Sequence, residues 1–409
     1  MLNENVSVAE REMKETNVYG YSWTPWSIII SKKIDIDVAS SIMFDWVHTY
    51  VCDGLGDNEF GVFMKRMHRA ITQEGMVHSC TYATLKEYLS GWTWPKDGAN
   101  PMHLFDETRA KRFINSGNFA CTASEFLTLG PIINRFLKRV VLEQVVGTHA
   151  EKHVASMIAN LDVIDLLKAC KVKDAVAPET LHTAIQNHLD CFKATYGESD
   201  MRPKHHYALH LANMLARFGI LVGTLTHERK HRAVKRYSKG RTNGLKFETS
   251  VLEEVTCHNI WELGEKQWLA FSTSMPSRRQ KWCLEVLFAD EPGDVRFTLH
   301  TKVHANGYIT RGDIVTFMSN GNMCIGELQI NVGLATDASC KMVSIVSKWE
   351  HGPTDGEFVE CGVRDESMHI PTMDLISPLA YRMSADRKTC VVVMPYELRG
   401  AFRASQIRA

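Results

Sequence analysis

The hydrophobic pattern of this chain changes its period once, near residue 268, and this change limits the folds that the chain can adopt. Upstream, apolar residues recur at helical spacing, and downstream they fall in short runs typical of strands. A segment at 265–280 contains Pro276-Ser277-Arg278-Arg279, which we interpret as a linker. The sequence therefore predicts a multidomain α+β protein that ends in a small all-β, barrel-like domain at 281–400.

The helical pattern is extensive between residues 61 and 200. Phe126, Ile133 and Phe136 recur at the spacing of one helix face, and Pro178 stands where a helix begins. We expect the whole span to be helical.

Five strands are predicted beyond residue 268, at 295–303, 308–317, 323–332, 342–349 and 389–394. Asn306-Gly307 and Asn320-Gly321 stand between neighbouring strands. These dipeptides are hairpin signals because the preferred two-residue turns need positive φ angles, which Asn and Gly tolerate.

Composition narrows the classes of protein to consider. Basic and acidic residues balance at 47 each, so the overall charge gives no indication of a nucleic-acid partner. No apolar run approaches 18 residues, and residues 1–20 form a polar lead without a secretion signal, so we expect neither a membrane span nor secretion. The eleven cysteines form no C-x-x-C pair, which argues against a zinc finger and fits reduced thiols in the nucleus or cytosol.

The distribution of charge is informative where the total is not. Residues 202–246 contain eleven Lys and Arg but a single acid, Glu228. Such a carboxylate can be a structural counter-ion, or it can hold a divalent metal against a phosphodiester whose charge the basic residues neutralise. A solvated charged face is the ordinary alternative for the whole segment.

A second acidic motif begins at Asp45, about 180 residues before Glu228. Asp45 follows an apolar run that predicts a strand leading into a helix, and His48 lies one turn further on, so both side chains can share one helix face. Asp45 can be a metal ligand or the N-cap of the helix. His48 can orient Asp45 or a phosphate, or it can be a satisfied core histidine.

The order of these motifs resembles a known family. The sequences FDWVH (44–48), ASEFLTL (123–129), VIDLLKA (163–169), RPKHHYALH (202–210) and HERKH (227–231) are similar to the catalytic domain of CACTA (En/Spm-like) DNA transposases. The resemblance covers roughly residues 20–265, and its most specific part is 202–260.

This resemblance implies an RNase H-like core with a DDE triad that binds Mg²⁺ or Mn²⁺ and acts on DNA in the nucleus. Asp45 would be the second Asp of the triad and Glu228 its Glu, with His48 beside them. The carboxylates of Asp45 and Glu228 should lie within about 10 Å of each other. The core would comprise 21–60 and 201–264, with a large helical insertion at 61–200.

The chain departs from the family pattern at the first Asp. Only Asp35 and Asp37 precede Asp45, and a separate strand with its hairpin does not fit into so few residues. We therefore expect an incomplete core, truncated at the N-terminus or decayed, and an inactive enzyme, since two-metal chemistry needs its full set of carboxylates. A non-enzymatic DNA-binding or chromatin-associated protein is the alternative.

DNA is the expected partner, and homo-oligomerisation is left open. The residues expected to contact nucleic acid are basic or histidine side chains of the 202–246 segment: Arg202, Lys204, His205, His206, Arg229, Lys230, His231, Arg232, Lys235 and Arg236.

Two further groups of residues are candidates for ligand binding. Trp92 and Trp94 can stack on an unpaired base, although tryptophan is more often a core residue. His182, His188 and Cys191 do not match the spacing of a standard zinc site.

Overall fold

The structure is a computed structural model that describes residues 43–74, 81–96, 100–224, 234–239, 247–264, 294–302, 308–335, 340–395, 398–400 and 402. Residues 45–409 belong to one compact unit. It combines helices with a curled antiparallel sheet that forms half a barrel.

The first part of the unit is helical. Its α-helices are α1 (Trp46–Tyr50), α2 (Leu55–Glu74), α3 (Tyr82–Ser90), α4 (Glu107–Ser116), α5 (Ala123–Phe136), α6 (Leu142–Val145), α7 (Glu151–Ala169), α8 (Pro178–Tyr196), α9 (Pro203–Phe218) and α10 (Phe247–Gly264). Short 3₁₀ turns occur at Pro101–Phe105 and Glu198–Asp200, and a π-helical turn at Leu137–Val141 continues α5.

Local sequence determines where several of these helices begin and end. Thr122 and Glu125 form a reciprocal capping box at the start of α5. Pro178 and Pro203 occupy the first positions of α8 and α9, where a missing backbone N–H costs nothing. Gly219 ends α9 in the left-handed conformation, with φ 72°.

An aromatic cluster fills the space between α2, α3, α4 and α5. The ring centroids of Phe60 and Phe119 are 4.7 Å apart, and Phe60 also contacts Tyr82 and Phe126. Gly56 permits the close approach, since a Cβ there would lie 2.8 Å from the Phe126 ring. Aromatic burial of this kind contributes a large share of core stability.

The second part of the unit is a sheet. Its strands are β1 (Asp294–Thr298), β2 (His300–Lys302), β3 (Tyr308–Thr310), β4 (Ile314–Ser319), β5 (Asn322–Ala335), β6 (Cys340–Asp355), β7 (Phe358–Pro371), β8 (Leu375–Leu379), β9 (Tyr381–Met383) and β10 (Thr389–Val393). The main sheet has the order β8-β4-β5-β6-β7-β10-β9, with β1 also paired to β5, while β2 and β3 form a separate ladder.

The hairpin predicted at Asn320-Gly321 joins β4 to β5, and both residues have positive φ, 51° and 77°. The predicted strand at 308–317 is divided into β3 and β4, because Gly312 turns the chain with φ 80°. Strand β7 was not predicted, since polar residues interrupt its apolar ones. The other hairpin signal, Asn306-Gly307, lies outside the described residues.

The sheet packs directly against the helices. The backbone of Thr93 pairs with Tyr381 at an edge of the sheet, and the Trp92 ring lies 5.8 Å from that of Phe358. Arg399 donates two hydrogen bonds to Asp165 of α7, at 2.6 and 2.9 Å. Trp92 is only 4% exposed, which favours its role as a core residue over that of a base-stacking one.

The predicted RNase H-like core is not confirmed. The described parts of 21–60 and 201–264 are helical or irregular, and the first strand of the ordered sheets, among residues that the structure describes, begins at Asp294. The described parts of 61–200 consist of helices joined by turns and loops, with one isolated bridge at Thr93. That this span is an insertion in such a core stays a prediction.

We predict that Gly326→Ala lowers the free energy of unfolding by about 1–3 kcal/mol, the usual cost of overpacking. A Cβ at Gly326 would lie 2.3 Å from the backbone oxygen of Ser347 on the adjacent strand. Gly362→Ala is the matched control, because its Cβ would meet only Glu350, at 3.7 Å. Urea unfolding of both variants measures the difference, and equal stability would contradict the packing described here.

Candidate functional site

Asp45, His48 and Thr224 form a polar cluster at the start of α1. The Asp45 carboxylate caps the helix by accepting a hydrogen bond from the backbone N–H of Val47 at 3.0 Å. Its other oxygen is hydrogen-bonded to Nδ1 of His48 and accepts a hydrogen bond from the Thr224 hydroxyl. Thr224 is 179 residues distant in sequence, so the cluster joins two remote parts of the chain.

A close approach of the backbone places Thr224 on Asp45. After α9 ends, the backbone N–H of Leu221 donates to the carbonyl of Cys170, and the chain then passes over α1. A Cβ at Gly223 would lie 2.7 Å from Val47 and 3.1 Å from Trp46 Nε1. Glycine is therefore required next to Thr224 for the hydroxyl to reach the carboxylate.

The cluster keeps Asp45 ionised. Burial raises the pKa of the Asp45 carboxyl, but the hydrogen bonds from Thr224 and His48 and from a backbone amide outweigh it, so that pKa lies below 3.8. The Asp45 side chain is only 14% exposed, whereas that of His48 is 45% exposed. The imidazole is thus the member of the cluster that solvent reaches most easily.

The fit of Asp45 to a metal can be judged from its hydrogen bonds. A carboxylate offers about four acceptor positions, and Asp45 already accepts from Val47, from both the backbone and the hydroxyl of Thr224, and contacts His48. In the part of the chain that the structure describes, no group of three or more His, Cys, Asp or Glu residues is arranged to hold a metal. Since the predicted second ligand, Glu228, lies outside the described residues, a Mg²⁺ or Mn²⁺ site at Asp45 stays a prediction.

Glu228 lies outside the described residues, as do Arg229, Lys230, His231 and Arg232. The expected proximity of Asp45 and Glu228 stays a prediction.

The other predicted DNA-contacting residues fall into two groups. Arg202, His206, Lys235 and Arg236 are exposed. Lys204 donates to the backbone oxygens of Cys52 and Asp53, at 3.1 and 2.6 Å, and thereby holds the start of α9 against the end of α1.

His205, by contrast, is buried. Its Nδ1 accepts the backbone N–H of Arg202 at 2.8 Å and so caps α9. Its burial separates it from the exposed side chains of the same segment, and its placement gives it a structural role.

A buried polar network was not anticipated from the sequence. Glu59 of α2 contacts Nε2 of His188 at 2.8 Å, and its carboxylate accepts from Ser156 and Asn160 of α7, both at 2.6 Å. Nδ1 of His188 lies 3.2 Å from the Tyr50 hydroxyl. Side chains from α7 and α8 thus meet at the carboxylate of Glu59 on α2, and Tyr50 of α1 joins the network through the His188 imidazole.

The network is structural because solvent does not reach it. The side chains of Glu59 and His188 are 1% and 0% exposed. Burial raises the pKa of Glu59, and its interaction with the His188 imidazole together with its hydrogen bonds lowers that pKa by more, so the carboxyl is ionised. His188 therefore contacts Glu59 inside the helical part of the chain, and this contact gives it a structural role in place of a zinc-binding one.

A row of sulfur and imidazole side chains crosses the sheet. His351 of β6, Cys361 of β7 and Cys390 of β10 are direct cross-strand neighbours. Cys361 and Cys390 are buried free thiols. Cys361 and Cys390 belong to the hydrophobic core of the sheet.

Comparison of the chain with models of protein families, with curated proteins and with solved structures found no match. Among the helices that the structure describes, none combines the length and the hydropathy that crossing a bilayer requires.

We predict that Thr224→Val raises the pKa of Asp45 and destabilises the chain at pH 7 by about 1–2 kcal/mol, since it removes a hydrogen bond to a charged group. Because the folded pKa of Asp45 is depressed, its contribution to stability is present above its unfolded value and is lost as the pH falls through the folded one. The difference between the two proteins should therefore shrink in acid. Carboxyl NMR titration and urea unfolding measure both effects, and Thr224→Ser should behave like the parent chain.

We predict that His188→Ala costs about 3–5 kcal/mol of stability, because it leaves the Glu59 carboxylate buried without its partner. His182→Ala, on an exposed position of the same helix, should change the free energy of unfolding by less than about 0.5 kcal/mol. Thermal or urea unfolding compares the two, and a small loss in His188→Ala would refute the ion pair.

Proposed function

We propose that this chain is a transposase-derived, DNA-binding protein that resembles the metal-dependent strand-transfer enzymes of the CACTA lineage and is itself inactive. The observation that carries the proposal is the contact between Asp45 and Thr224. It joins the Asp-x-x-His motif to the chain that leads directly into the His-Glu-Arg-Lys-His motif. The Asp-x-x-His motif thus contacts Thr224, which precedes His227, the first residue of the second motif, by three residues in the sequence.

Chain connectivity extends this argument to Glu228. Thr224 precedes Glu228 by four residues, a separation that the backbone spans within about 14 Å even when fully extended. With Thr224 hydrogen-bonded to Asp45, this limit supports the expected neighbourhood of the two acids. A Glu228 anchored far from Asp45 would require a longer connection.

The hydrogen bonds of Asp45 support the proposed inactivity. Its oxygens serve the helix N-terminus, Thr224 and His48, and a metal would have to displace at least one of these partners. The two-metal mechanism needs all of its carboxylates together.

DNA binding is supported by the charge of the 202–246 segment and by exposure of its described cations. Arg202, Lys235 and Arg236 are exposed, and the segment carries eleven basic residues against one acid. Such a surface binds phosphates through counterion release, with little preference for sequence. The nucleus is the compartment in which this partner would be met.

We predict that the chain binds duplex DNA with an affinity that falls steeply with salt, by about 0.9 log unit per phosphate contact per log unit of salt concentration. Reversing the charge of Arg229, Lys230, Arg232 and Lys235 together should flatten that slope. Fluorescence anisotropy across a salt series measures it. An unchanged slope, with the fold intact, would contradict the assignment of this surface.

The same duplexes, incubated with Mg²⁺ or Mn²⁺, separate the binding protein from the enzyme. We expect no strand cleavage. Cleavage that disappears in Glu228→Ala would show an active site and would overturn the inactive interpretation while leaving the lineage in place.

A further inference from the structure

A cavity of about 430 Å³ opens beside the buried Glu59 network, a volume typical of small-molecule sites. Helices α2, α8 and α9 form its walls, together with the turns at 116–117 and 198–202. Its apolar lining includes Leu55, Val62 and Phe192, and its polar lining includes Ser116 and Ser199.

The cavity is rich in cations. Lys65, Arg66, Arg69 and Arg202 line it, against two acids, Glu59 and Asp200. Glu59 is already engaged by His188, so its charge is not directed at an occupant. Arg66 and Arg69 recur at i and i+3 on α2, both exposed, and therefore lie side by side on one face.

Three of these cations have no acidic partner among the residues that the structure describes. Within the described ranges, Lys65, Arg66 and Arg202 form no ion pair with a carboxylate. Lys65 donates to the backbone oxygen of Asn115 and Arg202 to the side-chain oxygen of Asn58, and these neutral contacts leave their charges uncompensated. Unpaired cations around a concave site attract an anion.

A buried donor provides an independent indication. The His205 ring lines the cavity and is 3% exposed. Its Nδ1 accepts the Arg202 N–H at 2.8 Å, so in the neutral ring the hydrogen is on Nε2. Burial lowers the pKa of His205 to about 4, which keeps the ring neutral at pH 7. Among described residues, that buried Nε2 has no hydrogen-bond partner, and an unmet donor of this kind is uncommon.

We propose that this cavity binds a phosphate group, with Arg66, Arg69 and Arg202 as its principal ligands. Guanidinium groups match phosphate geometry through paired, charge-assisted hydrogen bonds. The apolar wall suits the carbon part of a phosphorylated compound. The phosphate can belong to a small molecule or to the backbone of DNA, and both present the same ionised oxygens.

The inference does not depend on the proposed function. Arg66 and Arg69 lie on α2, outside the basic 202–246 segment, and can be changed without altering that surface. Binding of a small phosphate is expected whether or not the chain binds DNA.

The test is titration of the full chain with pyrophosphate, by calorimetry and ³¹P NMR, and separately with duplex DNA. Arg66→Ala combined with Arg69→Ala should weaken pyrophosphate binding at least about tenfold, because each lost charge-assisted contact accounts for about that factor. The matched control combines Arg112→Ala with Arg311→Ala, since both arginines are exposed and lie outside the cavity lining and outside the 202–246 segment. Circular dichroism confirms that every variant is folded.

The arms separate the sources of the phosphate. Loss of pyrophosphate binding with unchanged DNA binding assigns the site to a small phosphorylated compound, and a parallel loss assigns it to DNA. Protection of Arg66 and Arg69 from phenylglyoxal by pyrophosphate, read by mass spectrometry, would locate the occupant. If the parent chain binds no pyrophosphate, or if both pairs of substitutions weaken it equally, the proposal is overturned.

Discussion

A single buried carboxylate organises the helical part of this protein. Glu59 is 2% exposed, and a charge so far from water is tolerated only with a partner and with its lone pairs satisfied. His188, Ser156 and Asn160 meet that requirement, and the Tyr50 hydroxyl lies against the imidazole. Because each partner comes from a set position on its helix, the network restricts the rotation and sliding of α1, α2, α7 and α8 relative to one another.

The two candidate sites depend on this arrangement. Tyr50 is at the end of α1, and Asp45 caps the same helix one turn earlier, so the network that holds Tyr50 also holds the Asp45 cluster. Arg66 follows Glu59 by two turns of α2 and shares its side of the helix. The position of the cavity is thereby coupled to the buried ion pair. The Glu59 network contacts no ligand itself, but it determines the positions of the two sites where ligands would bind.

The sequence predicted the features that depend on residues close together in the chain. Helical periodicity identified the helices of 61–200, Asn320-Gly321 identified a hairpin, and N-capping was recognised as an alternative for Asp45. It did not predict Thr224 beside Asp45, because that contact spans 179 residues and rests on the close approach at Gly223. Glu59 was missed because an acid on a long amphipathic helix gives no sign of whether it is exposed or buried. Strand β7 was missed because polar residues interrupt its pattern.

The carboxylate oxygens of Asp45 cannot keep all of their hydrogen bonds and also coordinate a metal. As an N-cap, Asp45 stabilises α1 by about 1 kcal/mol and is held by Thr224. A cation would gain the carboxylate only by releasing some of these donors, at a cost in stability that a second carboxylate would have to offset. DNA binding by exposed cations requires no such exchange. The geometry of Asp45 therefore favours the proposed inactive, DNA-binding protein over an enzyme, because this acid already holds α1 and Thr224 together.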